Sequence, residues 1–422
     1  MIVVDPIYGK FHLAEPIRSL CLTPEVRRLS QIRLLNTLTP SLATLGEIRR
    51  FSHTLGVLYL ASQSDLLSGT KERDAFSAAV LLHDIGTPPF GHLLEYHLKE
   101  RTSWNHESVI RQILNGSHVR ENSAHQFFAK QTLAFRSMLK KSTIDLALVE
   151  DIVSGTNRLS HLLFGTLDFD NLDNVARMNW ALGQLKSPVP LLNIAHHLTV
   201  GPAGSLLLPI SQRDAVKEWL RLRNAAYQVI VFDAPTVAAQ AILSDALEIA
   251  LDCGALQPED WSLTDEDLIT QLMKEKATKK MIARQYLGQL PEQVLVLQLR
   301  GTLKSLGFAS RRELTSRLRE SLSETIGPRT LGYAFVDHGT FTKKVTLVDP
   351  TSGNNWSEGE LSQSIILYAF VSAMKPTPHR KRIQAVQGII DHLRVPETLI
   401  MKCEMGTKQD RSDAQQTLNI ST

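Results

Sequence analysis

The stretch Leu81-Leu82-His83-Asp84-Ile85-Gly86 decides how the chain is read. An apolar helical run ends there in an adjacent imidazole and carboxylate and stops at a glycine. A buried helix end does not normally carry such a pair without a partner, such as a metal ion, to offset the desolvated charge. Upstream, His53 sits in Arg50-Phe51-Ser52-His53-Thr54-Leu55-Gly56-Val57, 30 residues before His83. Two antiparallel helices bring both imidazoles and the Asp84 carboxylate together. A fourth ligand is then needed. Leu167-Asp168-Phe169-Asp170-Asn171-Leu172-Asp173-Asn174-Val175-Ala176-Arg177 offers several carboxylates, and on a helix Asp170, Asp173 and Arg177 share one face. Mixed imidazole and carboxylate ligation suits one divalent ion, with manganese, iron, magnesium, nickel and zinc all admissible, that acidifies bound water and polarises a phosphoryl oxygen.

Around this nucleus, residues 24 to 275 read as helical. Thr23-Pro24-Glu25 is an N-cap, an N1 proline and an acidic first turn, followed by apolar Val26, Leu29, Ile32 and Leu35 along one face. Further runs cover Ser52 to Gln63, Asp74 to His83, Phe90 to Lys99, His106 to Leu114 and Thr143 to Ile152, with two long helices over 210 to 251 and a capped start at Thr264. After residue 276 the texture changes. Basic residues from Lys274 to Arg319 form a helical region before Gly327-Pro328, and Leu331 to Val336 with Lys344 to Val348 reads as a hairpin around Asp337-His338-Gly339. Ile365 to Val371 makes a third strand and Arg382 to Leu393 a helix. The expected fold is mainly α: a helical body (1–275), a basic helical and small α+β C-terminal appendage (276–403) and a flexible polar tail (404–422).

The composition sets limits. The 422 residues are 43% hydrophobic and 21% charged, the profile of a globular chain, and the net charge of +3 is too small to signal a duplex-binding protein. Cys21, Cys253 and Cys403 are far apart with no CxxC spacing, which disfavours a disulfide framework and a thiolate zinc site and fits a reducing cytoplasm. The first residues lack a leader pattern, and the longest apolar runs are shorter than a bilayer span, so no membrane partner is expected.

The ordered set His53, His83-Asp84, Asp170 resembles the H…HD…D signature of the HD superfamily of metal-dependent phosphohydrolases. RFSHTLGVLYLA, LLHDIGTPPFGH, WNHES and DNLDNVAR are similar to the branch of deoxynucleoside triphosphate triphosphohydrolases, over roughly residues 20 to 275. The resemblance implies an HD-type helical body, hydrolysis of a nucleotide or other phosphorylated small molecule, and a homo-oligomer. One form of that activity is the release of inorganic triphosphate from a dNTP. It also implies site roles. His53, His83, Asp84 and Asp170 become metal ligands, Arg50 a phosphate-binding fork, His92 with Glu95 a proton-donating pair, and His106 a group near the water or phosphate. Spacing agrees for His92 and Glu95: three apart on a helix, the carboxylate orients the imidazole and favours its charged form. Asp168 and Asp173 read as capping, surface or outer-layer carboxylates.

Four positions depart from that branch. Thr87 stands where many members have a second histidine. Asn174 and Asn179 stand where members have a tyrosine and an aspartate that read the sugar, and Leu34 stands near where they have a sugar-sensing glutamine. A sugar or base preference unlike that of familiar dNTP hydrolases is expected. Competing readings are an HD-type phosphodiesterase or nuclease on a cyclic, modified or polymeric nucleotide, and an HD-fold oxygenase with a second iron. A further one is a non-catalytic nucleotide-sensing or nucleic-acid-binding module, supported by the basic stretch from Lys274 to Arg319.

Overall fold

The computed structural model describes residues 1–36, 41–67, 71–102, 104–115, 134–337, 339, 342–372 and 377–405, with the backbone alone at 106, 107 and 134. The expected tail lies, from residue 406 on, outside the described residues. Two compact units emerge: Met1–Ala226 with Ser244–Ala283 and Lys344–Gly359, and Tyr227–Leu243 with Arg284–Lys343 and Glu360–Thr422.

The first unit is helical and contains the whole candidate site. It opens with a two-stranded antiparallel hairpin, β1 (Ile2–Asp5) and β2 (Gly9–His12), in which Asp5 pairs with Gly9. Helices Arg50–Ser62, Lys71–His83, His92–Arg101 and Phe169–Ala181 follow the expected apolar periodicity to within two or three residues. Their contact faces are fully buried at Val57, Leu60, Phe76, Leu81, Leu94, Phe169 and Leu172. Asp168 caps the last of these helices, accepting the Asn171 amide at 2.6 Å. Thr264 and Asp267 form a reciprocal capping box at the start of Asp265–Lys274. The run from Pro24 is shorter than its periodicity suggests. It is α-helical only over Pro24–Arg28, tightens to a 3-10 turn at Leu29–Gln31, and then extends to bridge Arg33 with Arg49.

Short strands β3 (Thr199–Val200), β4 (Leu206–Leu207), β7 (Val345–Val348) and β8 (Asn355–Glu358) make a second sheet in this unit, in that order. Trp356 donates its indole N–H to the Leu208 carbonyl at 3.1 Å, which fastens the β7–β8 hairpin to the strand region before it.

The second unit holds β5 (Glu292–Arg300), β6 (Thr330–Asp337), β9 (Ser364–Val371) and β10 (Ile400–Glu404), in sheet order β10-β5-β9-β6 and all antiparallel. Helices Arg311–Thr325 and His379–His392 follow β5 and β9. This is the split βαβ arrangement of ferredoxin-like modules. One sheet face packs on Leu314, Leu318, Leu322, Ala385 and Ile389 of the helices. The other, carrying Tyr333, Tyr368 and Phe370, packs on Val231, Val237, Ala238 and Ala241, and the Tyr368 hydroxyl donates to the Val231 carbonyl at 2.8 Å. Its aromatic residues are core, not an open platform for bases.

Two sequence expectations change here. β6 and β7 do not form a hairpin. β9 is buried along its whole length, so it takes a neighbour on each side, and β6 pairs with it from Thr330↔Val371 to Asp337↔Ser364 while β7 pairs with β8. The basic helical region is also interrupted by β5. Its Val294, Leu295, Val296, Leu297 and Leu299 are buried on both faces, a pattern that lacks the alternation of a half-exposed strand.

Among the described residues one helix, Ala234–Asp252, is long and apolar enough to cross a membrane by length and composition, and 67% of that window is buried inside the structure. The cysteines are free. Burial pushes the thiols of Cys21 and Cys403 up to about 11, whereas Cys253 is exposed. A thiol reagent at pH 7.5 should therefore modify one cysteine quickly, and peptide mapping should place the label on Cys253. Rapid labelling of Cys21 without unfolding would contradict the packing around it.

Candidate metal centre

Three elements deliver the ligand-type side chains. His53 comes from the second turn of Arg50–Ser62, His83 from the last residue of Lys71–His83 with Asp84 just beyond it, and Asp170 from the first turn of Phe169–Ala181. His53, His83 and Asp84 each place one ligand atom within 4.8 Å of the other two, and all three residues are buried. Asp170 adjoins them, its Oδ1 lying 2.8 Å from His53 Nε2 and 3.6 Å from His83 Nε2.

Hydrogen bonds leave one face of this cluster open for an ion. Each imidazole has its Nδ1 occupied, His53 by Asp173 Oδ2 at 2.7 Å and His83 by the Val80 carbonyl at 2.6 Å. Both rings therefore turn Nε2 toward the cluster, the usual way a second partner orients a ligating imidazole. Asp84 Oδ1 accepts from Arg50 Nη1 at 2.7 Å and from the Thr87 hydroxyl at 2.9 Å. Asp84 Oδ2 and His83 Nε2, 3.5 Å apart, are buried without a hydrogen-bond partner among the described residues. Two converging buried polar atoms left this way are costly unless an ion takes them, so the donor set fits a divalent cation.

Electrostatics agree. Burial alone would raise the Asp84 carboxyl, but the Arg50 guanidinium, then His83 and His53, outweigh it and hold it well below the usual carboxylate range. Burial alone would depress His53; hydrogen bonds to Asp170 and Asp173 reverse that and lift it to about 9. Asp170 is likewise lowered, by its bond to His53 and by the nearby His83 imidazole, against the effect of burial. The two carboxylates favour the charged form of His53, so a cation held by its Nε2 would compete with a proton there.

The loop after Asp84 is tightly held. Arg28, buried and pulled down to about 10 by that burial, donates to the carbonyls of Ile85 and Thr87 at 3.1 and 2.6 Å and to that of Leu263 at 2.9 Å. Asp265, fully buried, accepts the Phe90 amide at 2.9 Å and the Arg33 amide at 2.8 Å. Phe90 and Gly91 both take positive φ, 55° and 51°. A Cβ on Gly91 would stand 2.8 Å from Arg50 Nη2, so glycine there admits the guanidinium.

The remaining sequence candidates fall as follows. His92 starts its helix with its side chain 72% exposed, Nδ1 2.9 Å from Glu95 Oε2, while Glu95 Oε1 pairs with Lys99 at 2.7 Å. The side chain of His106 lies outside the described residues. Arg50 is buried against Asp84. Thr87, in place of a second histidine, fixes Asp84. Asn174 donates to Asp170 Oδ1 at 3.1 Å. Asn179 is fully buried, and its amide donates to the carbonyls of Val175 and Leu222 at 2.8 and 3.0 Å. It ties two helices together, at the position where the resembling branch has a sugar-reading aspartate.

With this geometry in place the relatives become informative. The HD domain family model matches residues 50–158, the segment that contains Arg50, His53, His83 and Asp84. That segment is an HD domain. HD domains bind divalent metals, and the His53, His83 and Asp84 cluster lies within the matched segment. The uncharacterized protein YwfO of Bacillus subtilis is 26% identical over 256 residues, 58% of this chain and 55% of its own length. An uncharacterized protein of Methanocaldococcus jannaschii is 23% identical over 263 residues, 60% of this chain and 51% of its own. The chain spans about half the length of these curated relatives. Among solved structures, a phosphohydrolase from Bacteroides thetaiotaomicron matches with a TM-score of 0.63 and 18% identity, over 88% of this chain and all of that one. A hypothetical protein from Aquifex aeolicus gives 0.65 and 17%, over 92% and 99%. At these identities the likeness shows the shared fold around the HD domain.

Proposed function

We propose that the protein is a metal-dependent phosphohydrolase acting on a nucleotide. The observation that carries this is the pair of buried, unpartnered atoms His83 Nε2 and Asp84 Oδ2, set beside His53 Nε2 in an HD domain. His53, His83, Asp84 and Asp170 would hold one divalent ion. When bound, such an ion lowers the pKa of a coordinated water and polarises a phosphoryl oxygen.

The chain's own residues supply the rest. Arg50 fixes Asp84 through Nη1 and offers its remaining donors to a substrate phosphate, for which a planar fork is well shaped. His92, with Nδ1 held by Glu95, keeps Nε2 for proton donation to the leaving oxygen. Release of inorganic triphosphate from a dNTP is one form of the activity. Burial of Asn179 and engagement of Asn174 by Asp170 favour a sugar preference different from that of familiar dNTP hydrolases, because the Asn179 amide nitrogen is spent on two backbone carbonyls and that of Asn174 donates to Asp170. A homo-oligomer and a cytoplasmic setting complete the reading.

The test is a panel of ribo- and deoxynucleoside mono-, di- and triphosphates and cyclic dinucleotides, incubated with Mn2+-loaded protein and scored for phosphate, pyrophosphate and triphosphate. At least one should be cleaved, and Arg50→Ala should raise KM or lower kcat for it by roughly tenfold or more, the loss of about one charged hydrogen bond. Efficient cleavage of the four common dNTPs with strong rejection of the ribonucleotides would refute the altered sugar preference. Cleavage of nothing in the panel would contradict the nucleotide assignment.

A further inference from the structure

Behind His53 runs a chain of buried charges that ends on the N-terminal hairpin. His53 Nδ1 meets Asp173 Oδ2 at 2.7 Å, Arg177 Nε donates to that same oxygen at 2.6 Å, and Arg177 Nη2 donates to Asp5 Oδ2 at 2.7 Å. Asp5, Asp173, Arg177 and His53 are all at most 5% exposed. We infer that Asp5 is a positioning residue for the His53 side of the metal centre, acting through Arg177 and Asp173; this rests on the metal reading above.

The division of labour on Asp5 supports it. Its Oδ1 accepts the amides of Ile7 and Tyr8 at 2.9 and 3.1 Å and so shapes the hairpin turn, while Oδ2 is spent on Arg177. Hairpin shape therefore needs only one of the two oxygens. The hairpin is also seated on the His53 helix itself, with Tyr8 stacked on Tyr59 at 4.8 Å and Phe11 tilted against it at 5.1 Å. Gly56, one turn after His53, makes room for the chain of charges, since a Cβ there would stand 1.9 Å from Asp173 Oδ1 and 2.3 Å from Arg177 Nη2.

Electrostatics give the direction. Arg177 is shared between two carboxylates, and burial, which would lower its pKa, is outweighed first by Asp173 and then by Asp5, so that it stays charged. If Asp5 loses its charge, Arg177 concentrates on Asp173. Asp173 Oδ2 then has less negative charge to give the His53 Nδ1–H, and the ring is held and polarised less well. Partners bonded directly to a ligating imidazole, as Asp173 is to His53, typically change metal affinity by about 10–100-fold when removed, and Asp5, two contacts further out, should have a smaller effect.

The experiment is a Mn2+ titration followed by the EPR signal of free Mn2+, with thermal unfolding of the metal-free protein in parallel. Asp5→Asn keeps an Oδ1 acceptor for the turn and removes the charge; it should weaken Mn2+ binding severalfold, less than loss of the direct partner Asp173 would. Arg177→Lys, whose ammonium can stay on Asp173 one helical turn away but cannot also reach Asp5 as the fork does, should do the same. Phe11→Leu loosens the hairpin's seat with no change of charge and should leave affinity as in the wild type. Wild-type affinity in both Asp5→Asn and Arg177→Lys would overturn the inference and leave the metal reading standing, as would an equal loss in Phe11→Leu. A wild-type protein that binds no Mn2+ would overturn both.

Discussion

Replacing Asp84 with alanine is expected to abolish both metal retention and hydrolysis while leaving a folded protein. Asp84 Oδ2 has no hydrogen-bond partner among the described residues, and its other oxygen already collects Arg50 and Thr87. Loss of the carboxylate therefore removes a ligand and frees a buried guanidinium beside the site. Because a bound cation contributes several kcal/mol of charge stabilisation in the transition state, the rate should fall by at least about a thousandfold. Asp170→Ala should behave alike, with a smaller disturbance of the fold because its side chain is 29% exposed and its helix is capped by Asp168. Metal content by atomic emission and circular dichroism separate these effects, and full activity in either variant would remove that residue from the ligand set.

The second large effect is expected at His92. His92→Ala should reduce the single-turnover rate by about a hundredfold or more, the usual contribution of a positioned proton donor, with metal content unchanged. Glu95→Gln should lower the rate less, because it removes the charged anchor of the ring and leaves the ring itself in place. The exposed position of His92 predicts little cost to stability in His92→Ala, whereas Glu95 is buried and paired with Lys99, so Glu95→Gln is expected to cost more. Loss of metal in His92→Ala would instead make it a ligand and revive a two-metal site.

What could be read from the chain and what could not divide along physical lines. The histidine and carboxylate types, and the helices that carry them, were legible because a 3.6-residue periodicity leads directly into His53 and His83-Asp84. Asp173 was recognisable as an acid on the Asp170 face, but its bond to His53 spans 120 residues and the Asp5–Arg177 pair spans 172. No local pattern encodes partners that distant. Arg28 and Asp265 escaped notice for the same reason: their work is to bind backbone groups of the loop at 85–90, and backbone groups carry no sequence signal. Asn179 was read only through the resemblance, at the place of a sugar-reading aspartate, whereas its place on the inner side of the Asp170 helix sends its amide nitrogen to carbonyls. β5 was missed because a strand covered on both faces looks like any apolar run.

The most direct test of the central claim is to strip the protein with a chelator, count the ions it regains from Mn2+, and follow hydrolysis of the best panel substrate through the same cycle, with His53→Ala beside the wild type. One ion per chain regained by the wild type, activity lost and restored in step with it, and neither seen in His53→Ala is the result expected. Undiminished hydrolysis by the stripped protein, or one ion per chain with full activity in His53→Ala, would contradict a reaction centred on the His53, His83 and Asp84 cluster.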